Sequence, residues 1–197
     1  RLVPPRTKRL RLFRLTGAVA ASVLLCFASW FIYDYWKPVA MQTVSAGAAI
    51  SVITLPDQTK VTLNRYSSLT YPDRFKEDRR EVQLQGEAYF EVAPDSLHPF
   101  IVKTEQQNLR VLGTSFAIRA YANESVVLTT LETGKDNIHS KGQEVILTPG
   151  EQSCLKDGNL TVAKVNTTLF TAWHKGIFIF QDQPLENILN TLSLIHI

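Results

Sequence analysis

The sequence predicts a mainly β protein: a membrane-anchored antiparallel β body, sandwich or solenoid-like, with the truncated start of an α+β subdomain at its C-terminal end. Three observations predict it. A basic cluster is followed by nineteen residues without a charge, Leu15 to Tyr33. Val82 to Val92 alternates apolar and polar side chains over eleven positions. Short apolar runs then recur about every ten residues, separated by turn-forming residues, a spacing typical of all-β folds.

The uncharged run, at about 1.5 Å rise per residue, matches the ~30 Å hydrocarbon layer of a bilayer. Trp30, Tyr33, Tyr35 and Trp36 stand where aromatic side chains settle at a membrane interface, so residues 15–35 are expected to form a transmembrane helix. Arg1, Arg6, Lys8, Arg9, Arg11 and Arg14 precede it with no acid among them. The positive-inside rule therefore makes residues 1–14 a cytoplasmic stub and everything after the span periplasmic. A buried helix would need less uniform apolarity, and a signal peptide has a shorter apolar core and a small-x-small cleavage site, absent here before Trp36. Leu25 before Cys26 also breaks a lipoprotein box.

The net charge of +3 hides an asymmetry, because from Pro38 onward 14 Lys and Arg face 17 Asp and Glu, a net of −3. Basicity belongs to the tail, and a nucleic-acid partner has no support. Cys26 and Cys154 could not pair across such a layout. An exported domain without disulfides suits an inner-membrane protein facing a bacterial periplasm. The N-x-S/T triplets at Asn123, Asn159 and Asn166 are read as chance.

Lys37 to Gly47 reads as a tether, and the β body is placed at 45–165. Leu55-Pro56-Asp57-Gln58-Thr59 is a turn leading into Val61–Leu63. Val82, Leu84, Gly86, Ala88, Phe90 and Val92 form a core face, with Gln83, Gln85, Glu87, Tyr89 and Glu91 expected to be wet. Gly86 suggests a bend or bulge midway. Strands are expected at Phe100–Thr104, Leu109–Leu112, Phe116–Tyr121, Val126–Leu131, Val145–Leu147 and Leu160–Val165. Asn166 as N-cap, an apolar Leu169, Phe170, Trp173 face and Gly176 at the C′ position predict a connecting helix, 166–176, packed on the sheet edge. A strand Ile177–Phe180 and a helix begun by Asp182 and Pro184, with Leu185, Ile188, Leu189 and Leu192 on one face, open a second unit, 177–197, cut off at Ile197.

Chemistry is hard to place on this pattern. There is no G-x-S-x-G, Glu87 and Glu91 read as solvated strand acids, and His98, His139, His174 and His196 lack metal-ligand spacing. No catalytic, cofactor or metal residue is assigned, and the chain is not expected to be an enzyme. Tyr71, Phe75, Tyr89 and Phe90 are read as core, with a sugar-stacking surface, and hence a membrane-tethered periplasmic glycan-binding module, as the alternative.

The body resembles the FecR family of membrane-bound anti-sigma factors. The resemblance rests on Leu55-Pro56-Asp57-Gln58-Thr59-Lys60-Val61-Thr62-Leu63-Asn64, Ser67-Ser68-Leu69-Thr70-Tyr71-Pro72, Gly86-Glu87-Ala88-Tyr89-Phe90-Glu91-Val92, Pro99-Phe100-Ile101-Val102, Val111-Leu112-Gly113-Thr114-Ser115-Phe116, Thr130-Leu131-Glu132-Thr133-Gly134-Lys135 and Pro149-Gly150-Glu151-Gln152, in the family's order. Trp173 to Gly176, Phe178-Ile179-Phe180 and Pro184 to Leu189 resemble the family's junction into an STN-like subdomain. The resemblance implies a relay from the signalling domain of an outer-membrane TonB-dependent receptor to a cytoplasmic extracytoplasmic-function sigma factor, with Phe178, Phe180, Pro184 and Leu185 as partner-binding residues and proteolytic control as the mode of transmission. Gln58 departs from the family's glycine. The sigma-binding domain that should precede the anchor is missing, which implies a fragment.

Overall fold

The computed structural model describes residues 20–33, 39–140, 142–177 and 179. The chain divides into two units, Arg1–Val39 and Ala40–Ile197. Helix α1, residues 20–33, and Val39 are the described part of the first, and the helix's large apolar side chains, Leu24, Phe27 and Phe31 among them, are exposed. Among the described residues no helix is long and apolar enough to cross a membrane. Residues 15–19 and 34–35 of the expected span lie outside the described residues.

The second unit is built from thirteen strands among the described residues: β1 Met41–Ser45, β2 Ser51–Thr54, β3 Lys60–Leu63, β4 Ser68–Pro72, β5 Arg80–Glu91, β6 Phe100–Lys103, β7 Asn108–Val111, β8 Ser115–Ala120, β9 Val126–Thr133, β10 Asp136–Ser140, β11 Gln143–Leu147, β12 Glu151–Lys156 and β13 Asn159–Lys164. Sheet A runs β1-β4-β5-β6-β7-β10-β11 and sheet B runs β2-β3-β5-β8-β9-β12-β13. Strand β5 belongs to both. Its first half pairs with β4 and β6, and its second half with β3 and β8.

A long strand shared by two facing sheets must bend, and glycine is where it does so. Gly86 takes φ +97°, and a Cβ there would sit 2.4 Å from Ser67 Oγ and 2.8 Å from its Cα. Only glycine admits both the dihedral and the approach. The bend also explains a contact that a straight strand forbids. Arg80 at the start of β5 donates from Nη1 to the Ala93 carbonyl at 2.8 Å, although thirteen extended residues would separate them by about 40 Å.

Arg80 is the hub of a buried clasp at the end of the sandwich away from the bend. Its Nη1 also meets Asp57 Oδ2 at 2.8 Å, its Nε donates to the His98 carbonyl at 2.9 Å, and its guanidinium lies over the Phe100 ring. Asp57 accepts the Thr59 N–H and hydroxyl as well, and Thr59 Oγ1 accepts the Ala93 N–H. The clasp pins the loop after β5, which returns the chain to sheet A so that β6 runs parallel to β5. The expected antiparallel β sandwich is formed, with β5 and β6 as its one parallel pair among the described strands: the loop crosses from sheet B back to sheet A instead of turning as a hairpin.

Between the sheets lies one core. Phe90 on sheet B stacks on Phe116 at 5.1 Å and meets Phe100 of sheet A edge-on at 6.1 Å, and all three are fully buried. Full burial of such a ring is worth about 1.5–3 kcal/mol each. One side of the sandwich is nearly closed, because Gln143 of β11 donates from Nε2 to the Gly158 carbonyl and accepts the Leu160 N–H. One amide thus does what a paired strand residue would, and the architecture approaches a barrel. On the other side β1 and β2 remain edges.

The strands expected between Val61 and Val165 are all present, with ends shifted by one or two residues, while positions 178 and 180 of the strand expected at Ile177–Phe180, and the helix expected after it, lie outside the described residues. The tether reading of Lys37 to Gly47 is corrected in part, since Met41–Ser45 pairs with β4. Strands β4, β10 and β12 match no expected strand. The Asp157-Gly158 turn joins β12 to β13 with both residues at positive φ, the geometry a two-residue hairpin loop requires.

Candidate functional site

The C-terminal segment lies on the outer face of sheet B. Helix α2, Thr168–Thr171, continues as a 3-10 turn, Ala172–Lys175, ended by Gly176 at φ +74°. The N-cap is Thr167, not Asn166 as expected; Asn166 stands one residue earlier, and its Oδ1 accepts the Thr168 N–H. The segment packs on the sheet face at β5, β8 and β9, not on an edge as expected. Its apolar Trp173 needs a broad surface, and Tyr89 and Ala117 provide one that is buried with it.

A polar latch holds it there. Glu132 of β9 accepts the Tyr89 hydroxyl at 2.5 Å and the Thr171 hydroxyl at 2.6 Å, one on each oxygen. The His174 ring stacks on Tyr89 with centroids 3.7 Å apart and planes 6° apart, while its Nδ1 lies 2.5 Å from the Thr171 carbonyl. Burial, then the bond to Glu132 and its charge, push the Tyr89 hydroxyl far up. For Glu132 burial alone would raise the carboxyl, but the Thr171 and Tyr89 hydrogen bonds, with Lys175 and His174, bring it below its usual value. Glu132 therefore stays ionised and the two hydroxyls stay donors across the neutral range. Such an arrangement clamps.

Two residues back on the same face of β5, Glu87 forms a second arrangement beside the first. Both Glu87, 7% exposed, and Tyr89, 4%, correct the expectation of a wet face, while Glu91 is exposed. Glu87 Oε2 accepts Asn64 Nδ2 at 2.8 Å and Arg119 Nη1 at 3.3 Å. Arg119 is itself held by Glu124 through Nε at 2.9 Å and Nη2 at 2.6 Å, and lies over Tyr121. Burial raises the Glu87 carboxyl despite Arg119 and Asn64. These residues line an open cleft of about 680 Å³ with Tyr66, Gln85 and Asn123, where β5 passes from one sheet to the other.

Other expected candidates do not converge. Tyr71, Tyr89 and Phe90 are buried and Phe75 packs edge-on against Phe100, so the sugar-stacking surface proposed from them is not formed. His98 pairs with Asp95 at 2.7 Å and His139 approaches Glu144 at 3.5 Å, at separate places. Among the described residues no three His, Cys, Asp or Glu side chains are grouped so as to hold a metal ion. Phe178, Phe180, Pro184 and Leu185 lie outside the described residues. Reading the sequence missed Glu132, Thr171 and His174; the available signal was an apolar Trp173 that needed a sheet face, but the Tyr89 and Ala117 that bury it stand far back along the chain, on β5 and β8.

The fold and this docked segment define a β-sandwich module with its C-terminal segment latched to one sheet face. The family model described as FecR protein matches residues 42–135. Two crystal structures, at 1.65 and 2.50 Å resolution, of a protein from Parabacteroides distasonis ATCC 8503 provisionally named an anti-sigma factor are similar at a TM-score of 0.72 and 31% identity. The match covers 78–79% of this chain and 74% of theirs. No curated protein matches. The chain belongs to the FecR family, and its role is of the anti-sigma, signal-transduction kind.

Proposed function

We propose that this chain is a single-pass inner-membrane anti-sigma regulator, with its N-terminus in the cytoplasm and its β body in the periplasm. It works by contact with partners, not by turnover. It receives the signalling domain of a TonB-dependent outer-membrane receptor and controls an extracytoplasmic-function sigma factor across the membrane. The apolar side chains exposed along α1 and the basic residues before it support the anchor.

The latch is the observation that carries the relay. The segment leading to Phe178, Phe180, Pro184 and Leu185 is fastened by Glu132 onto the body, so a partner engaging those four residues pulls on a rigid sheet instead of a loose linker. A single helix transmits little by rigid motion, and altered access of a protease to the region between body and membrane is the transmission we favour. Copurification of the full chain in nanodiscs with isolated receptor signalling domains tests this. Binding should occur and weaken in Phe178→Ala/Phe180→Ala; no binding to any receptor domain of the same genome refutes the relay. An impermeant amine reagent should reach Lys103 in spheroplasts, and protection there refutes the sidedness.

A further inference from the structure

The geometry points to the cleft at the β5 bend as a binding site for a neutral saccharide. The inference stands apart from the relay. It begins with which atoms of the cleft are used and which are not. Asn64, Arg119, Glu124 and Tyr121 are engaged with one another or with the backbone, Tyr121 donating to the Arg65 carbonyl at 3.0 Å. Both bonds to Glu87 fall on Oε2, and Oε1 makes none among the described residues. The exposed side-chain amides of Gln85 and Asn123 make none either. The cleft therefore has a fixed frame that orients a second set of polar atoms left to meet a ligand.

That second set describes the ligand. Two amides offer donors and acceptors side by side, and a carboxylate oxygen adds an acceptor. A hydroxyl is both donor and acceptor, so a polyhydroxylated molecule satisfies all three. The Tyr66 ring, 62% exposed at the rim, supplies a flat apolar face of the kind that packs against a pyranose ring. Tyr66 is held at φ +55°, a backbone conformation unfavourable for a bulky residue. Charge decides against an ionic ligand, since two arginines and two glutamates line the cleft and their formal charges cancel. The volume of about 680 Å³ lies within the range of ligand sites, about 300–1,000 Å³, and suits a short oligosaccharide.

Saturation-transfer NMR on the full chain in lipid nanodiscs, without glycosidic detergent, tests the site. The probes are neutral trisaccharides of glucose, mannose, galactose and N-acetylglucosamine, with trigalacturonate as the anionic comparator. At least one neutral trisaccharide should receive saturation at millimolar concentration. Transfer should fall several-fold in Tyr66→Ala and in Asn123→Ala, both exposed positions whose loss spares the core, and stay unchanged in Leu97→Ala. Absence of transfer to every neutral probe, equal transfer in both cleft variants, or stronger transfer to trigalacturonate would each overturn the assignment. Receptor-domain copurification run on the same variants separates failure here from failure of the relay.

Discussion

Asp57 and Asp136 each put a carboxylate into the body of the sandwich, but the surroundings of the two differ in every respect that matters. The Asp57 side chain, 12% exposed, accepts the Thr59 N–H and hydroxyl and faces the Arg80 guanidinium at 2.8 Å. Asp136 is 0% exposed, and neither of its oxygens has a hydrogen-bond partner among the described residues. Burial pushes its carboxyl up to about 7, a shift that the nearby Thr114 hydroxyl does not offset. The comparison teaches that this fold uses buried charge as a fastener where it is paired, and favours the protonated form of an acid left unpaired.

Breaking the paired site should have the largest effect. Arg80→Met leaves Asp57 without its cation and removes the tie to the Ala93 and His98 carbonyls. Loss of one partner of a buried pair destabilises by about 3–5 kcal/mol, read from urea unfolding. Asp57→Asn on the same background should recover part of that, because the stranded charge goes with it. A loss in Arg80→Met below about 1 kcal/mol, the range of surface ion pairs, would make the clasp ornamental and end the comparison.

The unpaired site predicts a pH dependence of definite sign. The unfolded Asp136 loses its proton near its ordinary value, 3.8, while the folded one keeps it to about 7. Between those values the folded state binds more protons, so stability falls as pH rises from about 4 to about 7 and then levels. The full drop from this group is of order 4 kcal/mol. Urea midpoints should be higher at about pH 5 than at about pH 8 in the parent, and Asp136→Asn should flatten that contribution. An equal slope in both proteins would show that Asp136 finds a partner on ionising.

How much of this was legible beforehand follows from the range of the interactions involved. The alternation around Gly86 is local, so a bent central strand could be read directly, and the Asp157-Gly158 hairpin likewise. Strands β10 and β12 are not apolar runs; DNIHS and EQSCLK bury alternate positions that include Asp136, Ser140 and Ser153. Polar residues facing inward defeat any reading of hydrophobic periodicity. Glu87 and Tyr89 keep the right parity, yet whether an outward face is wet depends on what lies over it. Over Tyr89 that covering comes from Thr168–Lys175, about eighty residues further along the chain, and at Glu87 the carboxyl is held by Asn64 and Arg119.

The latch lies between the two buried acids in character, since Glu132 is paired but partly open to water. Glu132→Ala removes the acceptor of both hydroxyls, and hydrogen bonds to a charged group contribute about 1.5–3 kcal/mol. The expected loss is local, not global. Amide exchange should accelerate across Thr168–Gly176 while β8 and the core strands keep their protection. Uniform acceleration over the whole body would mean that the segment folds as one unit with the sandwich, and Glu132 would then not be a separate fastening.

The smallest expected effect concerns backbone rather than charge, and it repeats the contrast between a compensated and an uncompensated feature. Gly86 and Gln58 both lie at positive φ, +97° and +70°. At Gly86 the choice of residue matches the demand, and the Ser67 backbone blocks any Cβ. At Gln58, which follows the turn closed by its own N–H on the Leu55 carbonyl, a side chain occupies a conformation that costs an L-residue about 1–2 kcal/mol. Glycine gives back part of that relief through the larger freedom of its unfolded chain, about 0.5–1 kcal/mol. Gln58→Gly should therefore stabilise by less than about 1 kcal/mol, a small rise in urea midpoint with unchanged slope. A destabilised Gln58→Gly would place an unrecognised contact on the Gln58 side chain, and strain would then have been traded there for binding within the turn that also carries Asp57.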